Sequence, residues 1–166
     1  MIKINSLQIN AFRGIKQLDL AFSPQFTVLV GINGIGKTAI LDCLAILLSH
    51  LINQISEIEG IPYKKSDIYH GASETKNKIT VSIDGHKASW MSISHKNAQS
   101  LSSTIEPRKP LDSMVENVYS TLAENPLASI PLVVYYPVNR AVFDVDISLN
   151  ITTGFSPIHC FKFSIF

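Results

Sequence analysis

The sequence predicts an α/β fold with a mixed sheet, built around a phosphate-binding loop, and three observations predict it. Gly31-Ile32-Asn33-Gly34-Ile35-Gly36-Lys37-Thr38 satisfies G-x-x-x-x-G-K-[ST] at every fixed position. Phe26-Thr27-Val28-Leu29-Val30, directly before it, is a short and nearly continuous apolar run, as a fully buried strand reads. Residues 39–52, directly after it, are largely apolar, free of Gly and Pro, and of helical length. Strand, glycine loop and helix in that order place backbone N–H groups at a helix N-terminus, where they hold phosphate oxygens.

Each residue type in the loop has a physical reason. Gly31, Gly34 and Gly36 allow backbone conformations closed to other residues and keep Cβ atoms away from the phosphates. The Lys37 ammonium reaches β- and γ-phosphates as a mobile point charge. The Thr38 hydroxyl is placed to ligate Mg²⁺, which bridges phosphate oxygens and keeps several waters. The candidate nucleotide-binding set is therefore Gly31, Asn33, Gly34, Gly36, Lys37, Thr38 and Ala39, with Thr38 as the metal ligand. The bland alternative is a Gly-rich turn that caps a helix. The full spacing and both flanking patterns weigh against it.

The chain of 166 residues suits one domain, 46% of it is hydrophobic, and 16% charged is too little for a disordered chain. A net charge of +1 gives no overall field that argues for nucleic acid or membrane. Cys43 and Cys160 form neither a disulfide framework nor metal-ligand spacing, and Cys43 reads as a small buried hydrophobe. The N-terminus lacks a secretory pattern. Residues 39–52 fall short of the ~18 apolar residues of a membrane span and include Asp42, Ser49 and His50. A cytoplasmic protein is expected.

Residues 1–24 read as an antiparallel arm. Leu7 and Ile9 alternate with polar neighbours, as do Leu18, Leu20 and Phe22, and Arg13-Gly14 joins the two strands. Ile2 and Ile4 have the opposite parity, which predicts a bulge near Asn5-Ser6. Residues 53–78 turn polar and read as the end of the long helix followed by a surface loop. Lys64-Lys65 near Tyr63 and Tyr69 fits a solvated loop better than a nucleic-acid contact. Ile79, Val81 and Ile83 alternate as a strand, and Asp84-Gly85 signals a hairpin into a second strand whose Trp90 is a core anchor. A connection over residues 94–110 leads to an amphipathic helix carrying Leu111, Met114, Val115, Val118, Tyr119 and Leu122. Leu132-Val133-Val134-Tyr135-Tyr136 has the pattern of a buried parallel strand.

The arm, the Gly-x-Asn-Gly-x-Gly-Lys-Thr loop and Ile40-Leu41-Asp42 resemble the ABC-type ATPases of the SMC, RecF and OLD group. Within that group the sequence is most similar to the AAA-type ATPases of Septu and retron-associated anti-phage systems. The similarity runs through residues 7–15, 26–48 and 131–140, and covers about residues 1–147. It implies ATP and Mg²⁺ as cofactors, ATP hydrolysis by the intact protein, and a homodimer closed head to tail around nucleotide. It also implies DNA and a nuclease or reverse-transcriptase partner. It places Arg13 close to nucleotide or DNA, although a solvated turn arginine reads equally well from the residues alone. Asp42, one turn beyond Thr38, reads as a locally satisfied carboxylate. Asn139-Arg140 holds the place of the γ-phosphate sensor without the family's Gln.

Such an ATPase also needs a carboxylate for Mg²⁺ and another that orients the attacking water. Asp84, before Gly85, and Asp144, between Phe143 and Val145, are poor candidates, and Leu101-Ser102-Ser103-Thr104 lacks the glycines of a signature segment. In the resembled family these parts lie beyond residue 166. The expected organisation is thus an ATP-binding lobe over residues 1–151 with an unplaced tail over 152–166, which reads either as a truncated or frame-shifted end or as a short terminal strand needing a partner, and no assigned catalytic residue. A nucleotide-binding module that controls assembly without hydrolysis is the alternative. A GTPase or small kinase is disfavoured, because no Asn-Lys-x-Asp base-reading segment is present and Asn139-Arg140 does not supply one.

Overall fold

In the computed structural model, residues 2–56, 58–97, 103–128 and 131–137 are described. They form β1 (Ile2–Phe12), β2 (Ile15–Ala21), α1 (Lys37–Ser56), a 3₁₀ turn (Lys65–Asp67), β3 (Glu74–Ile83), β4 (His86–His95), β5 (Thr104–Glu106) and α2 (Lys109–Glu124). The strands make one five-stranded sheet in the order β2-β1-β3-β4-β5, and every ladder in it is antiparallel.

The register follows from alternation and turn chemistry. β1 and β2 close through Arg13-Gly14, with Phe12 opposite Ile15. The expected bulge is present: Ile4 pairs with Val81 and Ser6 with Thr80, so the register shifts between Ile4 and Ser6. The extra residue brings Ile4 onto the face that Leu7 occupies opposite Ile79, which reconciles the two parities. β3 and β4 close through Asp84 and Gly85 at φ 47° and 90°, the double positive φ of a type I′ hairpin. β3 begins at Glu74, five residues earlier than the apolar alternation suggests, because Thr75 and Asn77 also face inward and are buried. The short β5 lies in the stretch expected to be a connection.

One face of the sheet carries Leu7, Ile9, Ile79, Val81 and Trp90, all buried, and α1 and α2 pack there. Trp90 is fully buried and donates from Nε1 to the Leu47 carbonyl at 3.1 Å, as a core anchor with a polar tip must. α1 buries Cys43 and most residues from Leu44 to Ile52, so it is an interior helix. It is longer than the apolar stretch in the sequence, and by length and hydropathy it could cross a membrane; 61% of its most apolar window is buried inside the protein instead. The Tyr119 hydroxyl on α2 donates to the Ile55 carbonyl at 2.8 Å, satisfying one of the acceptors a helix C-terminus leaves open.

Two expected strands are not formed. Residues 26–30 and 132–136 take no regular secondary structure and join no ladder, with Phe26, Val28, Val30, Leu132, Val134 and Tyr136 between 55% and 89% exposed. Both runs are apolar, but among the described residues no neighbouring strand pairs with either segment, so most of their apolar side chains stay exposed while Val133 packs against the core. Both segments line one groove together with Leu41, Leu44 and Leu48 of α1. Asn139, Arg140, Asp144, Cys160 and the tail over 152–166 lie outside the described residues.

Candidate functional site

The phosphate loop connects residues 26–30 to the first turn of α1. Gly34 and Gly36 take φ of 83° and 109°, where any side chain would be strained. At Gly36 a Cβ would also stand 3.4 Å from the Ile15 side chain of β2. The Lys37 ammonium lies over the loop and donates to the carbonyls of Gly31 at 2.7 Å and Ile32 at 2.8 Å. The first backbone bond of α1 runs from Ile40 N–H to the Gly36 carbonyl at 3.0 Å. Lys37, Thr38 and Ala39 thus occupy the helix positions whose N–H groups have no intrahelical acceptor. A lysine charge bonded, among the described residues, only to neutral carbonyls, a run of such donors and the positive end of the helix dipole converge at one point, which favours an anion.

Thr38 is exposed and opens onto a cleft of about 530 Å³. Arg13, Asp42, Lys64, Asp67 and Tyr135 supply its polar groups, and Ala45, Ile46, Ile61, Pro62 and Pro137 its apolar ones. Arg13 reaches this place because the β1–β2 turn is stitched to the loop after α1. Arg13 itself takes a positive φ of 49°. Its N–H donates to the Asp67 carbonyl at 2.7 Å, and Tyr69 N–H donates to the Ala11 carbonyl at 2.9 Å. The guanidinium then donates from Nε to Asp67 Oδ1 at 2.8 Å and from Nη1 to Asp42 Oδ2, with its carbon 5.2 Å from the Phe12 ring centroid.

The carboxylates are held in turn. Asp67, 3% exposed, accepts the Lys64 N–H on Oδ2 at 2.8 Å. Asp42 accepts the Tyr135 hydroxyl on Oδ1. Partial burial works against the Arg13 charge, yet the hydrogen bonds and charges of Asp67 and Asp42 prevail and hold its pKa above the ordinary value. Burial, with the bond to Asp42, pushes the Tyr135 hydroxyl up to about 12, so it stays a donor at neutral pH. Burial pushes the Cys43 thiol up as well, which makes it an inert core residue as its helix pattern suggested.

The structure brings Thr38 into one cleft with Arg13. Gly31, Asn33, Gly34, Gly36, Lys37 and Ala39 form the loop and first turn of α1 that lead to and from it. Asp42 is satisfied, though by residues distant in sequence and not by local ones. Tyr63 belongs to the core, its ring 6.1 Å from Phe12 in an edge contact, and is no platform for a base. Asp67 and Tyr135 escape sequence reasoning altogether: they stand 54 residues from Arg13 and 93 from Asp42, and no spacing rule links them. The one hint is Asp67 itself, an acidic residue beside a lysine pair in a loop otherwise read as solvated.

A metal would fit this site through Thr38, whose exposed hydroxyl is one oxygen ligand beside the phosphate position. Mg²⁺ typically takes its other oxygens from phosphate and water. Among the described residues no cluster of three or more His, Cys, Asp or Glu is arranged to hold a metal by itself.

Comparison with known proteins bears on the family and the fold. DNA replication and repair protein RecF of Hydrogenovibrio crunogenus is 31% identical over 102 residues, covering 53% of this chain and 28% of that protein. RecF of Haemophilus ducreyi is 40% identical over 92 residues, covering 51% and 24%. The chain thus spans about a quarter of the length of these relatives. A solved structure described as "Structural biochemistry of ATP-driven dimerization and DNA stimulated activation of SMC ATPases" superposes with a TM-score of 0.50. It is 20% identical, and the match covers 72% of this chain and 80% of that one, a likeness of fold. The AAA domain family matches residues 6–152, nearly the whole chain, and the chain belongs to that family.

Proposed function

We propose that this chain binds ATP with Mg²⁺ at the loop formed by residues 31–38. The observation that carries the reading is the Lys37 ammonium, held at 2.7 and 2.8 Å by carbonyls of its own loop at the N-terminus of α1. Bound phosphate would take over that ammonium, the helix N–H groups and the Thr38-ligated Mg²⁺. Mg²⁺ would there neutralise phosphate charge, and the cleft beside Thr38 would receive the remainder of the nucleotide.

In the intact protein the proposed activity is ATP hydrolysis in a homodimer closed around nucleotide, serving DNA processing or anti-phage defence through a nuclease or reverse-transcriptase partner. The protein in the solved SMC structure undergoes ATP-driven dimerization and DNA-stimulated activation, which supports the dimer and the DNA link. The proposed setting is the cytoplasm. One observation favours a binding-only role for the chain by itself. The carboxylates that share the cleft with Thr38, Asp42 and Asp67, are both ion-paired to Arg13 and so poorly suited to activating water.

Titration with a fluorescent ATP analogue, followed by competition with ATP and GTP, tests the nucleotide assignment. ATP should displace the analogue at least as well as GTP. A strong preference for GTP would overturn the reading in favour of a GTPase.

A further inference from the structure

We infer that Tyr135, acting through Asp42, positions Arg13 as an anion-binding group beside the phosphate loop. The inference rests on the nucleotide reading above. Asp42 follows Thr38 by one helical turn, so the two share a face of α1, and both line the cleft. Its two oxygens have separate tasks: Oδ2 takes Arg13 Nη1, and Oδ1 takes the Tyr135 hydroxyl.

Asp67 grips Arg13 from the other side through Nε at 2.8 Å, while its own second oxygen is fixed by the Lys64 N–H. With Nε and one Nη held by carboxylates, the guanidinium plane is set, and among the described residues nothing takes the two N–H donors of Nη2. A planar fork fixed in advance loses little freedom when it meets a phosphate oxygen, so more of the bond appears as affinity.

Tyr135 is the outer member of this relay. Residues 131–137 join no ladder, so the hydroxyl links a segment outside the sheet to the helix of the phosphate loop. Without it Asp42 loses the bond that sets its orientation, and Arg13 follows. Linkage makes the effect mutual: nucleotide that engages Arg13 also fixes Tyr135 against α1.

The test is Mg-ATP analogue binding by the full chain carrying Tyr135→Phe, Asp42→Asn, Arg13→Ala and the double variant Arg13→Ala/Tyr135→Phe, with Lys37→Ala as reference. Tyr135 is two bonds removed from the ligand, so its loss should be felt as no more than one ordinary hydrogen bond, about three- to tenfold weaker binding for Tyr135→Phe. In the Arg13→Ala background Tyr135→Phe should change affinity no further, because its effect runs through Arg13. A purely structural role would instead lower the melting temperature and give the same loss in both backgrounds, which would overturn the inference. So would unchanged affinity in Tyr135→Phe when Lys37→Ala abolishes binding. Should Asp42→Asn fail to fold, the Tyr135 and Arg13 cycle decides by itself. Full binding by Lys37→Ala would overturn the nucleotide reading and this inference with it.

Discussion

Arg13 and Asp67 meet twice: the Arg13 peptide N–H donates to the Asp67 carbonyl at 2.7 Å, and its Nε donates to the Asp67 carboxylate at 2.8 Å. This double contact fastens the β1–β2 turn to the loop after α1 and builds one wall of the cleft. Asp67→Ala leaves the peptide bond intact and strips a partly buried guanidinium of one partner. We expect a loss of about 2 kcal/mol, at the low end for such pairs because Arg13 keeps some contact with water. Urea unfolding followed by circular dichroism measures it, and an unchanged midpoint would contradict the wall as described.

Trp90 is the protein's single tryptophan and is fully buried. Trp90→Ala should cost about 3–5 kcal/mol through cavity formation. Trp90→Phe should cost about 1–2 kcal/mol, since it keeps a ring but leaves the Leu47 carbonyl without its donor. The wild-type emission should be that of an apolar site and shift to the red on unfolding. Emission typical of exposed indole in the native protein would count against this core.

His50 on α1 bonds to Ser92 Oγ at 3.1 Å, and burial lowers its pKa to about 4. The folded state therefore resists protonation that the unfolded chain accepts near pH 6.5. Between those values the unfolded state binds more protons, so stability falls as pH drops from about 6.5 toward 4, by at most about 1.4 kcal/mol per pH unit. Comparison of melting temperatures at pH 7 and pH 5 should show a smaller acid loss for His50→Gln than for wild type. Equal losses would mean that His50 titrates normally in the folded state.

Local chemistry was legible in the sequence wherever short-range geometry decides the outcome. Asp84-Gly85 dictated its hairpin, the parity change before Leu7 dictated the bulge, and the glycines around Lys37 dictated the loop. The apolar runs over 26–30 and 132–136 were legible as strands in composition, but a strand exists only when a neighbour completes its ladder. Long-range polar partnerships were the least legible part. Nothing local to Arg13 announces that Asp42, Asp67 and, at one remove, Tyr135 will converge on it, because that depends on where three separate segments finish after the sheet has formed.

Turnover by the chain itself should be slight. Phosphoryl transfer needs a group that orients water, and losing one such group commonly costs about two to three orders of magnitude. Among the described residues, Asp42 and Asp67 are the carboxylates in the Thr38 cleft, and both are committed to Arg13. A phosphate-release assay with Mg-ATP should stay near background, and Asp42→Asn should leave it there. Robust turnover abolished by Asp42→Asn would show that this carboxylate acts in catalysis.

The most direct test of the account is calorimetric titration of Mg-ATP into wild-type protein and Lys37→Ala. Lys37 bonds only to loop carbonyls among the described residues, so its removal should leave the melting temperature nearly unchanged. The predicted result is a single ATP site in wild type and at least tenfold weaker binding in Lys37→Ala, as follows from losing a charge-assisted contact to phosphate. Equal affinity in the two proteins would contradict the claim that this loop holds the nucleotide.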